Sequence, residues 1–231
     1  MFKHRSTQKE LLDQEQIPDA DLFQTLRELD TINHLLGGYA VTFAALKKYL
    51  LPGKDYVLVD IGCGGGDTLK RIYDWKTSKG FKMTLLGIDL KTACVTYAEK
   101  NQGHRSIRFI CDDYRNLYQY QPKIDIIHAC LFCHHLTESQ IVELIEFAMS
   151  NNSTLIINDL ERNPVAYYAI KTITSLFSKS YLVKNDAAVS VLRGFKKTEW
   201  LRMIKKAGAT HFTVKNKWAF RHQIIIYGQP T

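Results

Sequence analysis

The sequence predicts an α/β protein built on a doubly wound, mostly parallel sheet of seven strands. Two observations carry that reading. From residue 55 onward, short apolar runs alternate with amphipathic segments of helical length, the pattern of a parallel sheet covered on both faces. The first of these runs, Val57 to Ile61, empties into four glycines within five residues, Gly62, Gly64, Gly65 and Gly66, and a helical segment follows. A ligand-binding turn at the carboxyl end of a leading strand belongs to that architecture.

Taken in order, the first fifty residues read as helical. Leu22, Leu26 and Leu29 recur at helical spacing, Gly37-Gly38 punctuates, and a second helical pattern covers residues 41–50. Pro52-Gly53 marks a boundary, so residues 1–50 are expected to form a helical amino-terminal cap and residues 51–231 the main domain. Strands are expected at 56–61, 83–88, 107–110, 124–129, 154–158, 212–214 and 223–227. Helices are expected at 67–74, 92–101, 137–150 and 198–207. Thr137-Glu138-Ser139-Gln140 forms a capping box at the start of the third, and Gly208 stops the fourth. A helical insertion over about 164–195, with Tyr167, Ile170 and Thr174 on one helical face, is expected to form a lid or a dimer contact.

With 231 residues and 45% hydrophobic content, the chain can bury one substantial core. It has no apolar run long enough to span a membrane, and its first residues lack the apolar segment of a secretory leader, so a cytoplasmic protein is expected. The net charge of +8 is unevenly spread: residues 1–30 hold four Lys/Arg against seven Asp/Glu, and residues 160–231 hold thirteen against three. That bias permits a nucleic-acid partner but does not favour one. Basic residues such as Lys196, Lys197, Arg202, Lys205 and Lys206 are interleaved with Trp200, Leu201 and Ile204, as on a solvated helix face.

Cys130-Leu131-Phe132-Cys133-His134 matches the c-type haem pattern C-x-x-C-H and carries zinc-type ligands. The five cysteines are odd in number and offer no second C-x-x-C. Without an export signal, buried reduced thiols are the simpler reading, and no metal is expected.

The glycine turn admits two ligand classes. A dinucleotide fingerprint requires glycine where this chain has Asp67, whose carboxylate would repel a pyrophosphate. Asp60, just before the turn, offers nothing to an anion but a charge-assisted bond to an ammonium group. A cofactor bearing a cation is therefore expected.

Asp60-Ile61-Gly62-Cys63-Gly64-Gly65-Gly66-Asp67 resembles the first motif of the class I S-adenosylmethionine-dependent methyltransferases. The resemblance implies a Rossmann-like fold, S-adenosyl-L-methionine as cofactor, and Asp60, Gly62, Cys63, Gly64 and Gly66 on its methionine and ribose side. The second strand ends at Asp89-Leu90, and Asp89 occupies the position that reads ribose hydroxyls in nucleotide-binding sheets. The third runs into Asp112 and Asp113, where the family places an acid facing the adenine amino group. The fourth resembles the family's next motif and carries Ala129 to the same edge. His134-His135 is familiar in this family at the end of that run; either histidine is a candidate base, or it backs the cofactor or caps the following helix.

The fifth strand delivers Asp159 and Glu161 to the same edge. With Tyr167 of the insertion and Arg193 of the stretch 186–193, they are the candidate substrate-pocket residues, and the amino-terminal helices with Asn33, His34 and Gly37-Gly38 complete a cover. Residues 26–38, 158–170 and 191–195 together resemble a bacterial branch of these enzymes associated with polyketide or phenolic-lipid pathways. That implies a small-molecule methyl acceptor, O-methylation of a phenolic or quinone-like metabolite, and a monomer or homodimer. An RNA or protein methyltransferase and a cofactor-binding protein without turnover are the alternatives.

Overall fold

The computed structural model describes residues 2–14 and 16–228. The amino-terminal segment is mainly irregular, with a 3-10 turn at Leu11–Asp13. The first α-helix, α1 (Asp19–Leu35), begins after Pro18, and α2 (Gly38–Tyr49) follows across Gly37. The expectation of fifty helical residues is thereby corrected. The segment before Pro18 spends its backbone groups on other elements: Ser6 donates to the Leu192 carbonyl, and Leu11 and Leu12 donate to the Asp186 carboxylate.

The remaining elements are β1 (Asp55–Ile61), α3 (Asp67–Lys79), β2 (Lys82–Asp89), α4 (Thr92–Lys100), β3 (Arg108–Cys111), α5 (Leu117–Tyr120), β4 (Ile126–Cys130), α6 (Glu138–Ser150) and β5 (Thr154–Leu160). They continue through α7 (Pro164–Phe177), α8 (Tyr181–Arg193), α9 (Lys197–Lys206), β6 (Phe212–Lys217) and β7 (Arg221–Ile226). All seven expected strands form. The capping box at α6 is made, with the Thr137 side chain on the Gln140 backbone and the reverse bond returned. Helix α3 outruns its expected end at residue 74, because Trp75 stacks between Phe43 and Phe81 and the left-handed stop comes only at Gly80.

The strands order as β3-β2-β1-β4-β5-β7-β6, with β7 antiparallel to both of its neighbours and every other pairing parallel. Strand order therefore reverses between β1 and β4, and a crevice opens outside the carboxyl ends of these two strands, where open α/β sheets bind ligands. Along β1 the two faces alternate. Tyr56 and Leu58 join a cluster with Ala45 and Leu46 of α2 and Leu69 and Ile72 of α3. Val59 and Ile61 join a second cluster with Ile141 and Ile145 of α6 and Trp200 and Ile204 of α9. Each buried Leu or Ile contributes about 1.5–3 kcal/mol, and the two layers together hold the strand tips in register. Among the described residues no helix is long and apolar enough to cross a membrane.

Candidate active site

The crevice is a cleft of about 420 Å³. Its floor is the turn after β1. Gly62 and Cys63 donate to the Ile88 carbonyl, which ties the turn to β2. Gly62 and Gly66 both sit at positive φ, and each is held close to an aromatic ring. A Cβ on Gly62 would lie 2.1 Å from the Phe132 ring, and one on Gly66 2.7 Å from Phe109. No other residue fits there, and without side chains the backbone of the turn is open to a close ligand.

The tips of β2 and β3 supply acids. Asp89 lines the cleft and accepts from the Gly64 and Lys91 amides, both at 2.9 Å. Burial pushes its carboxyl up, with those two amides acting in opposition. Asp67, on the same wall, is likewise raised by burial against the pull of Lys70, 2.8 Å away. Carboxylates whose charge is disfavoured by burial gain most from an arriving cation. Asp112 and Asp113 also line the cleft. Asp112 accepts from Tyr120 and Asn116, and Asp113 is paired with Arg115, so both carboxylates are already oriented.

The fourth wall is the segment after β4. Leu131 takes a positive φ of 53° while donating its amide to Asn158, and this places Leu131 and Phe132 at the mouth. Such strain in a non-glycine residue costs on the order of 1–3 kcal/mol and clusters at functional sites. Cys130 faces the cleft and Cys133 is buried in the apolar layer; both are free thiols.

The roof comes from the amino-terminal segment and α1: Leu12, Asp13, Leu26, Leu29 and Asn33. Of the residues expected to form this cover, Asn33 lines the cleft while His34 and Gly37-Gly38 stand outside it; Leu12 and Asp13 carried no sequence signal, because the 3-10 turn has no periodicity and is held by contacts with α8. Asp186 accepts from Leu11 and Leu12 at 2.8 Å, and Arg193 reaches Asp13 at 3.0 Å and the His134 and His135 carbonyls at 3.2 and 3.1 Å.

Of the sequence candidates, Gly62, Cys63, Gly64, Asp89, Leu90, Asp112, Asp113 and His135 meet in the cleft. Gly66, Ala129, Asp60, His134, Asp159, Glu161, Tyr167 and Arg193 stand outside its lining. Gly66 caps α3, and Ala129 is packed in the sheet. Asp60 shares the face of Tyr56 and Leu58, so its carboxylate turns toward α2. There it accepts from His128 Nδ1 at 2.6 Å, and His128 Nε2 lies 3.0 Å from the Thr42 hydroxyl. Asp159 points to the other face and accepts from His134 Nδ1 at 2.7 Å. Glu161 bridges to Phe195, Tyr167 packs between α7 and α8, and Arg193 ties the roof to the segment after β4.

The two histidines differ accordingly. His134 is buried between Asp159 and Glu10. Burial disfavours its charge, but the two carboxylates override this and raise its pKa to about 9. Both acids are correspondingly held below the usual carboxylate range despite the opposing effect of burial. His135 reaches the cleft, with Nδ1 3.1 Å from Asp13 and Nε2 3.8 Å from Glu10. Donor atoms of Glu10, His134 and His135 lie within 4.8 Å of one another, a spacing that metal ligands also show. Here the group is part of a closed network in which Ser190 also donates to Glu10.

Residues 52–208 match a family model described as a methyltransferase domain. No curated protein matches the sequence. Among solved structures, the chain is similar to the plantazolicin methyltransferase BpumL, solved with a monoazolic desmethylPZN analog and SAH. The identity is 17% and the TM-score 0.64, covering 91% of this chain and 89% of that one. Human N-acetylserotonin methyltransferase, solved with SAM, gives 17% identity and a TM-score of 0.63 over 92% of this chain and 57% of that one. The CMeT domain of the citrinin polyketide synthase gives 14% and 0.56 over 81% and 51%. At these identities the likeness is one of fold, while the family match covers well over half of the chain. By that match the chain belongs to the methyltransferase domain family, and it has the fold of the class I S-adenosylmethionine-dependent methyltransferases.

Proposed function

We propose that this protein transfers a methyl group from S-adenosyl-L-methionine to an oxygen of a small, largely apolar acceptor of phenolic or quinone-like type. One observation carries the reading: a single cleft is lined on one side by Gly62, Gly64, Asp89, Leu90, Asp112 and Asp113, and on the other by Leu12, Leu26, Leu29 and His135. The donor set suits the cofactor. The open backbone of the glycine turn accepts its methionine part, Asp89 accepts from ribose hydroxyls, and Asp112 or Asp113 accepts from the adenine amino group. The excess of acid on these walls favours a ligand of net positive charge. When bound, the cofactor supplies an electrophilic methyl group on a sulfonium.

The chain's own residues supply alignment, dryness and a proton acceptor. Leu12, Leu26 and Leu29 exclude water from the acceptor side, which strengthens every charge interaction there. His135 receives the acceptor's hydroxyl proton at Nε2. Asp13, 3.1 Å from Nδ1, favours the tautomer that carries the proton there and leaves the Nε2 lone pair unprotonated, with Glu10 3.8 Å beyond it; an aspartate plays this part behind a catalytic histidine elsewhere. Tyr167, Asp159, Glu161 and Arg193 act behind the pocket wall. Asp159 and Arg193 hold the segment 133–135 in place, and the helices of the insertion keep the 3-10 turn over the mouth.

The test is transfer of tritiated methyl from S-adenosylmethionine to a panel of phenols, hydroquinones, RNA and unrelated protein. Labelling of phenols that falls at least tenfold in His135→Ala, with S-adenosylhomocysteine affinity retained, is the expected result. Labelling of RNA or protein alone would overturn the acceptor class. Labelling of phenols undiminished in His135→Ala would remove the base.

A further inference from the structure

Helix α7 has two apolar faces, and only one of them has a partner within the described chain. Tyr167, with Ile170 and Thr174 on the same side, turns toward α8. On the opposite side, Val165, Ala169, Thr172 and Leu176 follow one another at steps of four, three and four residues, the spacing of a coiled-coil seam. Val165 and Leu176 are 63% and 71% exposed, and Tyr168, Phe177 and Tyr181 beside them are 60%, 79% and 53% exposed. A surface helix ordinarily turns a polar face to water, and a contiguous exposed apolar patch marks an interaction surface.

We propose that this face of α7 is an isologous contact with a second copy of the chain, the two helices packing antiparallel. A two-fold axis passing between Ala169 and Thr172 sets Val165 of one copy against Leu176 of the other. The small residues then meet at the centre, where close approach is needed. At roughly 200 Å² for an aromatic side chain and about 100 Å² for an aliphatic one, the exposed fractions give on the order of 500 Å² per copy. The pair buries about 1,000 Å², the minimum a biological interface has to clear and the size of a weak, concentration-dependent dimer. The favoured occupant is a second copy rather than an anionic lipid surface. An interfacial helix carries a basic polar face along its length, whereas Lys171 is the one charged residue of α7 and lies over Tyr167, away from the stripe. The contact also bears on the cleft. Helix α7 packs on α8, whose Asp186 and Arg193 pin the 3-10 turn and the segment 133–135.

The test is sedimentation equilibrium of the full chain with Val165→Glu, Leu176→Lys and the double variant, each checked for S-adenosylhomocysteine binding. The wild type is expected to be a dimer at about 50 μM. Each single variant should raise the dissociation constant about 100-fold, since a charge faces an apolar partner twice per dimer. In the double variant opposite charges meet across the axis, and the constant should return to within about tenfold of wild type. A monomeric wild type, a single variant that stays dimeric, or a double variant that does not recover overturns the proposal. A monomeric wild type that co-sediments with phosphatidylserine vesicles, in a manner abolished by Leu176→Lys, transfers the face to lipid instead.

Discussion

Raising the pH should destabilise this protein through His134. The folded-state pKa is raised from 6.5 to about 9, because the Asp159 and Glu10 carboxylates outweigh the burial that opposes the charge. A group raised in the folded state contributes its full stabilisation below its unfolded value and loses it as the pH climbs through the folded one. The window is therefore pH 6.5 to about 9, and the difference corresponds to roughly 3 kcal/mol. Urea unfolding at closely spaced pH values should show the wild type losing stability across that window. His134→Gln keeps a hydrogen-bond donor near Asp159 but cannot titrate, so its stability should be lower at pH 6.5 and nearly flat to pH 9. Asp159→Asn should remove the larger attractive partner and shift the remaining loss to lower pH. Parallel curves for wild type and His134→Gln would refute the reasoning, because the slope would then belong to other groups.

Three further outcomes are expected. Asp89→Ala should weaken S-adenosylhomocysteine binding by about 10- to 100-fold in calorimetry, the effect of losing hydrogen bonds to a charged acceptor; unchanged affinity would remove Asp89 from the ribose position. Gly62→Ala should abolish measurable binding while the chain still folds, because the added Cβ meets the Phe132 ring at 2.1 Å, and Gly62→Ala combined with Phe132→Ala should recover part of it; no recovery would place the obstruction elsewhere. Arg162→Met should cost about 3 kcal/mol in thermal or urea unfolding, since the buried guanidinium serves the Gly194 carbonyl at 2.7 Å and Glu199 at 2.6 Å; a loss below about 1 kcal/mol would show that neither partner depends on it.

The side of the cleft formed by the strand tips was largely readable from the chain, because it is built from local patterns. An apolar run that ends in glycines, and two more that end in acids, place those residues at strand tips whatever the rest of the molecule does. Asp60 shows the limit of that logic. Its position before the turn suggested a ligand contact, but the alternation of β1 turns it toward α2, and the β1–β4 register sets His128 beside it. Asp159 and Tyr167 were drawn into the substrate pocket on similar grounds and stand behind its wall.

Two kinds of information thus separate. Period, glycine placement and residue type at strand ends are properties of neighbours along the chain, and they settled the sheet, its order of elements and the strand-end residues that line one side of the cleft. The roof of the cleft is a different matter. Leu11 and Leu12 are held by Asp186 from 175 and 174 residues away, and Asp13 is held by Arg193 from 180 residues away. Which of two adjacent histidines lines the cleft followed from the same long-range contacts. Such pairings satisfy buried donors and charges only once the core has brought distant segments together, so no window of sequence contains them.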